Sequence, residues 1–265
     1  MEAEVGSPPP ALSLRLRSPP ACALSPCHPL TPPPLILYTS GMTLKSLPPW
    51  LPYVAPFALF LLLTTLESVS HLPPSTFPFT YAVKIALVGG LLVALRGYFP
   101  EARPGGGGWV AATALGVVLL FLWIVIDTHT PHFAFLGART GFNPNREIAT
   151  PAGIVFFLFV RFAGLVVVAP IIEELFYRGF LLRFVTDLDD FRRVPAGTFS
   201  VLALLINVGL FALSHPEWLA AAVFALALCL LLRWTKNLFA CILAHGVTNL
   251  LLGVYILHTA QWQYW

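Results

Sequence analysis

The chain has 265 residues, of which 57% are hydrophobic and 10% are charged, with a formal net charge of +3. Soluble domains carry about 25% charged residues, so this chain has too little charge to cover a water-facing surface. The composition therefore predicts an all-α, polytopic transmembrane helical bundle. Because the chain has neither a basic run nor a nucleic-acid motif, it predicts no nucleic-acid partner.

The first 48 residues form a proline-rich tail that differs from the rest of the chain. They contain clusters such as "SPPP" and "TPPP", and proline at this density cannot sustain a helix, so the composition predicts disorder. Met42 opens a short lead-in to the first apolar run. Two interpretations stay open, a real but dispensable tail or a native start at Met42. The transmembrane domain is predicted at 49–265.

Apolar runs of spanning length recur from Trp50 onward. A transmembrane helix needs about 20 mainly apolar residues. About seven spans are predicted, at roughly 50–69, 77–95, 109–127, 152–185, 198–214, 217–233 and 236–258. The fourth is long enough to tilt or break, and Pro170 marks the expected break. The fifth is short and ends at "SHPEW".

Basic residues in the loops predict the orientation of this bundle. With the N-terminus inside, only Arg139 and Arg146 lie on the exterior side. Eight basic residues lie on the interior side: Lys45, Arg96, Arg103, Arg183, Arg192, Arg193, Arg233 and Lys236. This asymmetry predicts an N-terminus inside and a C-terminus outside. Lys84, Arg161 and Arg178 fall within the spans, and the sequence does not identify partners for the first two.

The stretch "PIIEELFYRGFLLRF" (170–184) places charges inside the fourth apolar run. A charge in hydrocarbon costs roughly 2.5–3.5 kcal/mol even on the insertion scale, so such residues indicate a functional site. Glu174 and Arg178 are four residues apart and can neutralise each other on one helical face. Glu173 is rotated by about 100° from its neighbour and shares its face with Tyr177. A carboxylate in an apolar site without that cationic partner suits a general base.

Two later apolar segments carry further polar residues. His215 ends "FALSH" (211–215), and His245 and Asn249 stand one turn apart in "HGVTN" (245–249). Taken singly, a histidine near a helix end is more often structural, and a glutamate pair with an arginine is more often a buried ion network. The joint order of the three elements is far more specific than any one of them.

The order EExxxR, FxxxH and HxxxN, each on its own hydrophobic segment, resembles the CPBP family, also called Abi. This is the family of type II CAAX prenyl proteases and bacteriocin-processing proteins, and the resemblance covers about residues 150–255. It implies an intramembrane endopeptidase of the bacterial inner membrane that hydrolyses a peptide bond of a membrane-associated protein or peptide. The roles that it implies are water activation by Glu173 with His215 as its partner, oxyanion stabilisation by His245 and Asn249, and ordering of the site by Glu174, Arg178 and Phe211.

Alternatives to this interpretation use the same residues. No cofactor is required for a glutamate mechanism, but Glu173, His215 and His245 are also zinc-ligand types, so a divalent metal such as zinc is the alternative cofactor. Cys241 lies one turn before His245 and is more often a core residue than a fourth ligand. The buried charges could instead form an ion path in a transporter. A non-catalytic immunity or scaffold protein is the third possibility.

The loop charges make a topology prediction. A reporter fused after Trp265 should lie outside the cell and one inserted within 187–195 should lie in the cytoplasm, because three predicted crossings separate the two positions. A membrane-impermeant reagent applied to intact cells should therefore label only the first reporter. Labelling of both reporters, or of neither, would mean that the number of crossings between them is even.

Overall fold

The computed structural model describes residues 47–70, 72–137 and 141–265. Residues 1–46 of the predicted tail, with Lys45, lie outside this description, as does Arg139. The described residues form helices joined by loops and include no strand, which confirms the all-α prediction. The helices are α1 (Leu51–Val69), α2 (Phe77–Leu95), α3 (Trp109–His129), the short α4 (Pro144–Glu147), α5 (Pro151–Thr186), α6 (Val201–Leu213), α7 (Trp218–Thr235) and α8 (Leu238–Thr259).

Among the described residues, six helices are long and apolar enough to cross a membrane, namely α1, α2, α3, α5, α7 and α8. The seventh predicted span corresponds to α6, which is apolar but has only 13 residues. At 1.5 Å per residue it is about 20 Å long, shorter than the roughly 30 Å hydrocarbon core. The predicted helix boundaries otherwise lie within a few residues of those observed, so about seven spans remain plausible.

Helix α5 passes through Pro170 without interruption, so the predicted break at this residue is wrong. Proline lacks an N–H group and its ring clashes with the carbonyl of the residue four positions earlier, which here is Val166. The helix accommodates this by widening into a π-helical segment at Ala163–Val168, which ends two residues before the proline. A second π-helical segment follows at Leu175–Leu181.

The two π-helical segments offer carbonyl groups to other helices. The Leu165 carbonyl accepts a hydrogen bond from the Asn249 amide of α8 at 2.9 Å. The Tyr177 carbonyl accepts one from the buried Asn207 amide of α6 at 2.6 Å. π-helical turns disturb the regular i to i−4 hydrogen-bond ladder, and they occur frequently at functional sites. The two bonds from Asn249 and Asn207 therefore satisfy carbonyl groups of the disturbed backbone. They also position α6 and α8 against α5.

Helix α8 lies at the centre of the bundle and packs closely against α3. The Thr248 hydroxyl donates to the Gly116 carbonyl at 2.9 Å. A Cβ atom at Gly116 would lie 2.6 Å from the Ala244 carbonyl oxygen, so only glycine permits this approach. The contact orients α8 so that His245 faces α5 rather than the lipid.

One end of the bundle, called here the basic end, is formed by loops 96–108 and 187–200 and the turn at 236–237. The Arg183 guanidinium donates to Glu101 at 3.2 Å, and the Asn237 amide donates to the Gly105 carbonyl at 2.8 Å, so these loops contact one another. Seven described basic residues lie at this end: Arg96, Arg103, Arg183, Arg192, Arg193, Arg233 and Lys236.

The opposite end is formed by loops 70–76, 130–150, 214–217 and 260–265, within the described residues. Here the Trp218 indole donates to the Pro131 carbonyl at 3.2 Å, and the Tyr264 hydroxyl donates to Asp127 at 2.8 Å. Burial, reinforced by that carboxylate, raises the pKa of Tyr264 above its ordinary value. Arg146 is the described basic residue in these loops, so the two ends have the charge asymmetry on which the predicted orientation depends.

The close approach of α3 and α8 predicts unequal effects of two glycine substitutions. Gly116→Ala should lower the stability by about 1–3 kcal/mol, because the new methyl group overpacks the contact with Ala244, and the melting temperature in detergent should fall by about 5 °C. Gly90→Ala in α2 is the matched control, since Gly90 is exposed and a Cβ atom there meets nothing within 4 Å. Equal melting temperatures for the two variants would contradict the proposed packing of α8.

Candidate active site

A cavity of about 770 Å³ lies among α1, α2, α5, α6 and α8. Its mouth includes residues of loops 70–76 and 141–147, so it opens toward the opposite end of the bundle; within the described residues, the basic-end loops do not line it. The structure brings all four predicted catalytic residues, together with two aromatic side chains, to its wall: Glu173, Tyr177, Phe211, His215, His245 and Asn249.

Glu174 lies beneath the cavity wall and is fully buried. One of its oxygens, Oε1, accepts hydrogen bonds from Arg178 Nη1 at 3.2 Å and from His245 Nδ1 at 2.9 Å. The predicted Glu174–Arg178 pair is therefore confirmed, and it has a third member that lies on α8. Arg178 also donates to the Ala225 carbonyl of α7 at 3.2 Å. A carboxylate paired with arginine only accepts, so His245 Nδ1 carries the hydrogen of this bond.

Glu173 lies on the cavity wall, one helical position away from Glu174. Its side chain is 16% exposed, whereas the side chain of Glu174 is completely buried. Its Oε2 atom is 4.0 Å from His245 Nε2. The two ring nitrogens of His245 therefore contact different glutamates, with Nδ1 on the buried carboxylate and Nε2 near the carboxylate that faces the cavity.

His215 follows the last turn of α6 and contacts its own helix. Its Nδ1 atom lies 2.8 Å from the Phe211 carbonyl oxygen and 3.1 Å from the Ser214 hydroxyl. Since a carbonyl oxygen only accepts, Nδ1 carries the hydrogen, and Nε2 of the neutral ring is then a hydrogen-bond acceptor. The FxxxH spacing thus determines which histidine nitrogen can accept a proton.

The Phe211 ring contacts most of the polar residues of the site. It stacks on the His215 ring with centroids 4.6 Å apart and lies 4.9 Å from the Arg178 guanidinium in a cation–π contact. It also meets the Tyr177 ring at 5.0 Å and the His245 ring at 6.5 Å. Phe211 therefore fills the space between the two histidines and excludes water from the Arg178 side of the site.

Asn249 stands one turn after His245 on the same face of α8. Its amide donates to the Leu165 carbonyl of the first π-helical segment at 2.9 Å. A side-chain amide has two N–H donors, so one anchors α8 to α5 and the second can be directed toward a ligand. The predicted oxyanion donor thus also positions the helix that carries it.

Glu173 and His215 lie at matching depths, although the helix lengths alone suggested otherwise. Glu173 is 13 residues before the end of α5 at Thr186, and α6 has 13 residues from Val201 to Leu213. Helix α5 ends at the basic end and α6 begins there. Glu173 on α5 and His215 after α6 therefore each lie about 20 Å from that end. Because α6 is short, the two residues reach the same depth without a break at Pro170.

Residues 154–251 match the family model described as type II CAAX prenyl endopeptidase Rce1-like. This segment is therefore a Rce1-like domain. The chain is a protease that hydrolyses peptide bonds, and its apolar helices make it an integral membrane protein. The match contains all three motifs and excludes α1 to α4. No curated protein matches the chain, and no solved structure does.

The Rce1-like domain contains a polar residue that the sequence analysis missed. Asn207 is fully buried in α6; its amide nitrogen donates to the Tyr177 carbonyl, and its oxygen accepts from the Cys229 thiol at 3.5 Å. The signal was present in the sequence, since an asparagine in the apolar run "LLINVGL" is a buried polar group that needs hydrogen-bond partners. Ser214, whose hydroxyl is 3.4 Å from that of Tyr177, was also missed.

Two further cations line the cavity of the Rce1-like protease, and the sequence did not identify their partners. Lys84 of α2 forms an ion pair with Glu67 of α1. Arg161 of α5 lies between two aromatic rings, 4.8 Å from that of Tyr81 and 5.4 Å from that of Trp265. Both cations therefore belong to the wall of the cavity rather than to the membrane interface.

Metal ligation is the remaining alternative for the site residues of the Rce1-like protease. In the described part of the chain, no three histidine, cysteine, aspartate or glutamate side chains are grouped closely enough to hold a metal ion. Cys241 is buried, and its thiol donates to the Leu228 carbonyl at 3.4 Å, as expected of a core residue. Ligation of zinc by Glu173, His215 and His245 stays a prediction that chelation can test.

The contacts of the two adjacent glutamates predict unequal effects of their substitution on stability. Glu174→Gln removes the charge that holds both Arg178 and His245, and Arg178→Ala leaves the buried Glu174 without its cation. Breaking a buried pair costs roughly 3–5 kcal/mol, so the melting temperature in detergent should fall by about 10 °C for each variant. Glu173→Gln makes the same chemical change one residue away and should shift the melting temperature by less than about 2 °C. Equal melting of all three variants would contradict a structural role for Glu174.

Proposed function

We propose that this Rce1-like protease cleaves a membrane-anchored peptide inside its cavity, with a water molecule activated by Glu173. One observation carries the proposal: Glu173 and His245 Nε2 lie 4.0 Å apart on the cavity wall, while Glu174 and Arg178 neutralise each other beneath them. One glutamate is thus committed to structure, and the other faces the space that a peptide would occupy.

The hydrolysis then follows from the positions of the acceptors. Glu173 takes a proton from the water, whose oxygen adds to the carbonyl carbon of the peptide and pushes the carbonyl electrons onto its oxygen. The neutral His215 ring presents Nε2 as an acceptor that can orient the same water. When the tetrahedral intermediate collapses, the C–N bond breaks and Glu173 returns the proton to the leaving amine, giving a carboxylic acid and an amine.

The oxyanion of that intermediate needs hydrogen-bond donors near the cavity wall. His245 and Asn249 are one turn apart on α8, and both line the cavity. When its ring is protonated, His245 keeps its Nδ1–H on Glu174 and also donates from Nε2. That Nε2–H and the second N–H of Asn249 can then point to one oxygen. Donors that are already oriented in an apolar site stabilise such charge strongly, and removal of one costs about 10²–10³ in kcat.

The position of the cavity mouth bears on the substrate. The cavity opens at the end of the bundle that is poor in basic residues, which the positive-inside rule assigns to the exterior. We therefore propose that the protease, in a bacterial cytoplasmic membrane, receives its substrate from the exterior half of the bilayer. The reporter experiment on Trp265 and 187–195 decides this orientation independently of activity.

The mechanism predicts the effect of Glu173→Gln on catalysis. This variant keeps the shape and polarity of the side chain but removes the base, so cleavage of a membrane-tethered peptide in vesicles should slow by about 10²–10⁴ while the melting temperature is retained. Glu147→Gln is the matched control, because Glu147 is an exposed glutamate at the cavity mouth, and it should cleave within about threefold of the unaltered protein. Normal cleavage by Glu173→Gln would refute the assignment of the base.

A chelator distinguishes the glutamate mechanism from the zinc alternative in the same assay. Under the glutamate mechanism, incubation with a strong chelator followed by its removal should leave the cleavage rate unchanged. Loss of activity that added zinc restores would instead support the zinc alternative, in which Glu173, His215 and His245 are the predicted ligands. The unaltered protein is the reference in both arms, and its melting temperature controls for unfolding by the chelator.

A further inference from the structure

Tyr177 is a polar residue of the cavity wall that the proposed mechanism does not use. It lies one helical turn after Glu173 on the same face of α5, and both residues line the cavity. Its buried ring meets that of Phe57 at 5.6 Å and that of Phe211 at 5.0 Å, both edge to face. Phenylalanine would make the same ring contacts, so the hydroxyl group needs an explanation of its own.

The hydrogen bonds around this hydroxyl make its oxygen an acceptor. The Ser214 hydroxyl donates its one hydrogen to the Phe211 carbonyl at 2.8 Å, so the Ser214 oxygen can only accept further bonds. The Tyr177 hydroxyl donates to that oxygen at 3.4 Å, and Ser214 is its hydrogen-bond partner among the described residues. A phenol has one hydrogen but can also accept. With its hydrogen directed at Ser214, Tyr177 presents a lone pair to the cavity.

The other acceptors of the site are assigned to other partners. In the proposed mechanism, Glu173 and His215 Nε2 hold the water. The Ser214 oxygen receives the Tyr177 hydroxyl and lies 3.1 Å from His215 Nδ1. The side-chain oxygen of Asn249 is carried by α8, on the side of the proposed oxyanion donors. Tyr177 therefore supplies an acceptor on the α5 side of the cavity that the mechanism leaves available.

The peptide bond that is cleaved needs an acceptor on this side. In a trans peptide the C=O and N–H groups point in opposite directions. A carbonyl oxygen that points to His245 and Asn249 of α8 therefore directs the N–H away from α8. An N–H group in an apolar cavity is costly unless it is hydrogen-bonded. Tyr177 faces the same cavity from α5, next to the end of α6.

We propose that the Tyr177 oxygen accepts a hydrogen bond from the N–H of the cleaved bond, so that Tyr177 is a further catalytic residue. This inference rests on the proposed function, because it takes Glu173 as the base. When water adds to the carbonyl carbon, the nitrogen becomes pyramidal and its lone pair is localised. Because Tyr177 holds the N–H, this lone pair is turned toward the proton on Glu173. Glu173 transfers the proton to the lone pair, the C–N bond breaks with its electrons going to nitrogen, and the oxyanion re-forms the C=O bond.

An ester substrate tests this role, because its leaving oxygen carries no hydrogen. Mass spectrometry first identifies the bond that the unaltered protein cleaves in a membrane-tethered peptide in vesicles. An ester of the same sequence then replaces that one N–H by oxygen. Tyr177→Phe should slow cleavage of the peptide by about 5- to 100-fold, the effect of one buried donor left without an acceptor. The loss should fall mainly on kcat, since the lone pair must be oriented only after water has added.

The same variant should cleave the ester within about threefold of the unaltered protein. A smaller amount of folded protein lowers both rates equally, so the ratio of peptide to ester cleavage reports the hydrogen bond and not the stability. An unchanged ratio in Tyr177→Phe overturns the proposal.

Two control variants separate the Tyr177 oxygen from its surroundings. Tyr53→Phe also removes a tyrosine hydroxyl, one that donates to Glu101 at 2.7 Å at the basic end, and it should keep the ratio of the unaltered protein. Ser214→Ala removes the partner of Tyr177 but keeps the Tyr177 oxygen, so it should lower the ratio less than Tyr177→Phe does. A loss in Ser214→Ala that is as large as that in Tyr177→Phe would assign the effect to Ser214 and overturn the proposal.

Glu173→Gln distinguishes failure of this inference from failure of the proposed function. Activation of water needs a base with either substrate, so this variant should slow peptide and ester alike by about 10²–10⁴. Normal cleavage of both substrates by Glu173→Gln refutes the proposed base. Slow cleavage of both by Glu173→Gln, together with an unchanged ratio in Tyr177→Phe, retains the proposed function and overturns only the role of Tyr177.

Discussion

The bundle depends on one buried oxygen atom, Oε1 of Glu174, which accepts hydrogen bonds from both Arg178 and His245. Through these bonds α5 is joined to α8, and Arg178 continues the connection to the Ala225 carbonyl of α7. A buried ion pair contributes little net stability, because desolvation offsets the attraction, but loss of one member is strongly destabilising. The arrangement therefore acts as a constraint on register, since rotation of any one of these helices would leave a buried charge without its partner.

This constraint gives two adjacent glutamates different environments. Neighbouring residues on a helix differ by about 100°, so once Glu174 is directed into the helix interface, Glu173 must face elsewhere. Glu173 faces the cavity. This space exists because α6 is short, and His215 and Phe211 at the end of α6 line it. Widening of α5 at Ala163–Val168 and Leu175–Leu181 supplies the carbonyl groups that anchor α8 and α6, so irregular backbone and functional side chains lie together.

The cavity has a polar floor and a cationic wall in surroundings that are otherwise apolar. Glu173 and His245 form the floor, and Arg161 stands farther toward the mouth on the same helix. Because the described basic-end loops do not line the cavity, it opens toward the end of the bundle that carries few basic residues.

Much of this architecture followed from the sequence, for local physical reasons. Hydropathy predicted the spans because membrane insertion is decided segment by segment, and the spacing of Glu174 and Arg178 predicted their pair because a helix places residues four apart on one face. The EExxxR, FxxxH and HxxxN motifs indicated the protease family before any contact was known.

What the tertiary structure alone decided depends on distant segments. The sequence suggested that Pro170 would break its helix, but the π-helical widening that avoids the break is stabilised by Asn249 of α8. The sequence also could not show that Glu67 neutralises Lys84. Nor could the sequence show that Arg161 lies between Tyr81 and Trp265. The partner of a buried charge is set by how separate helices rotate and pack.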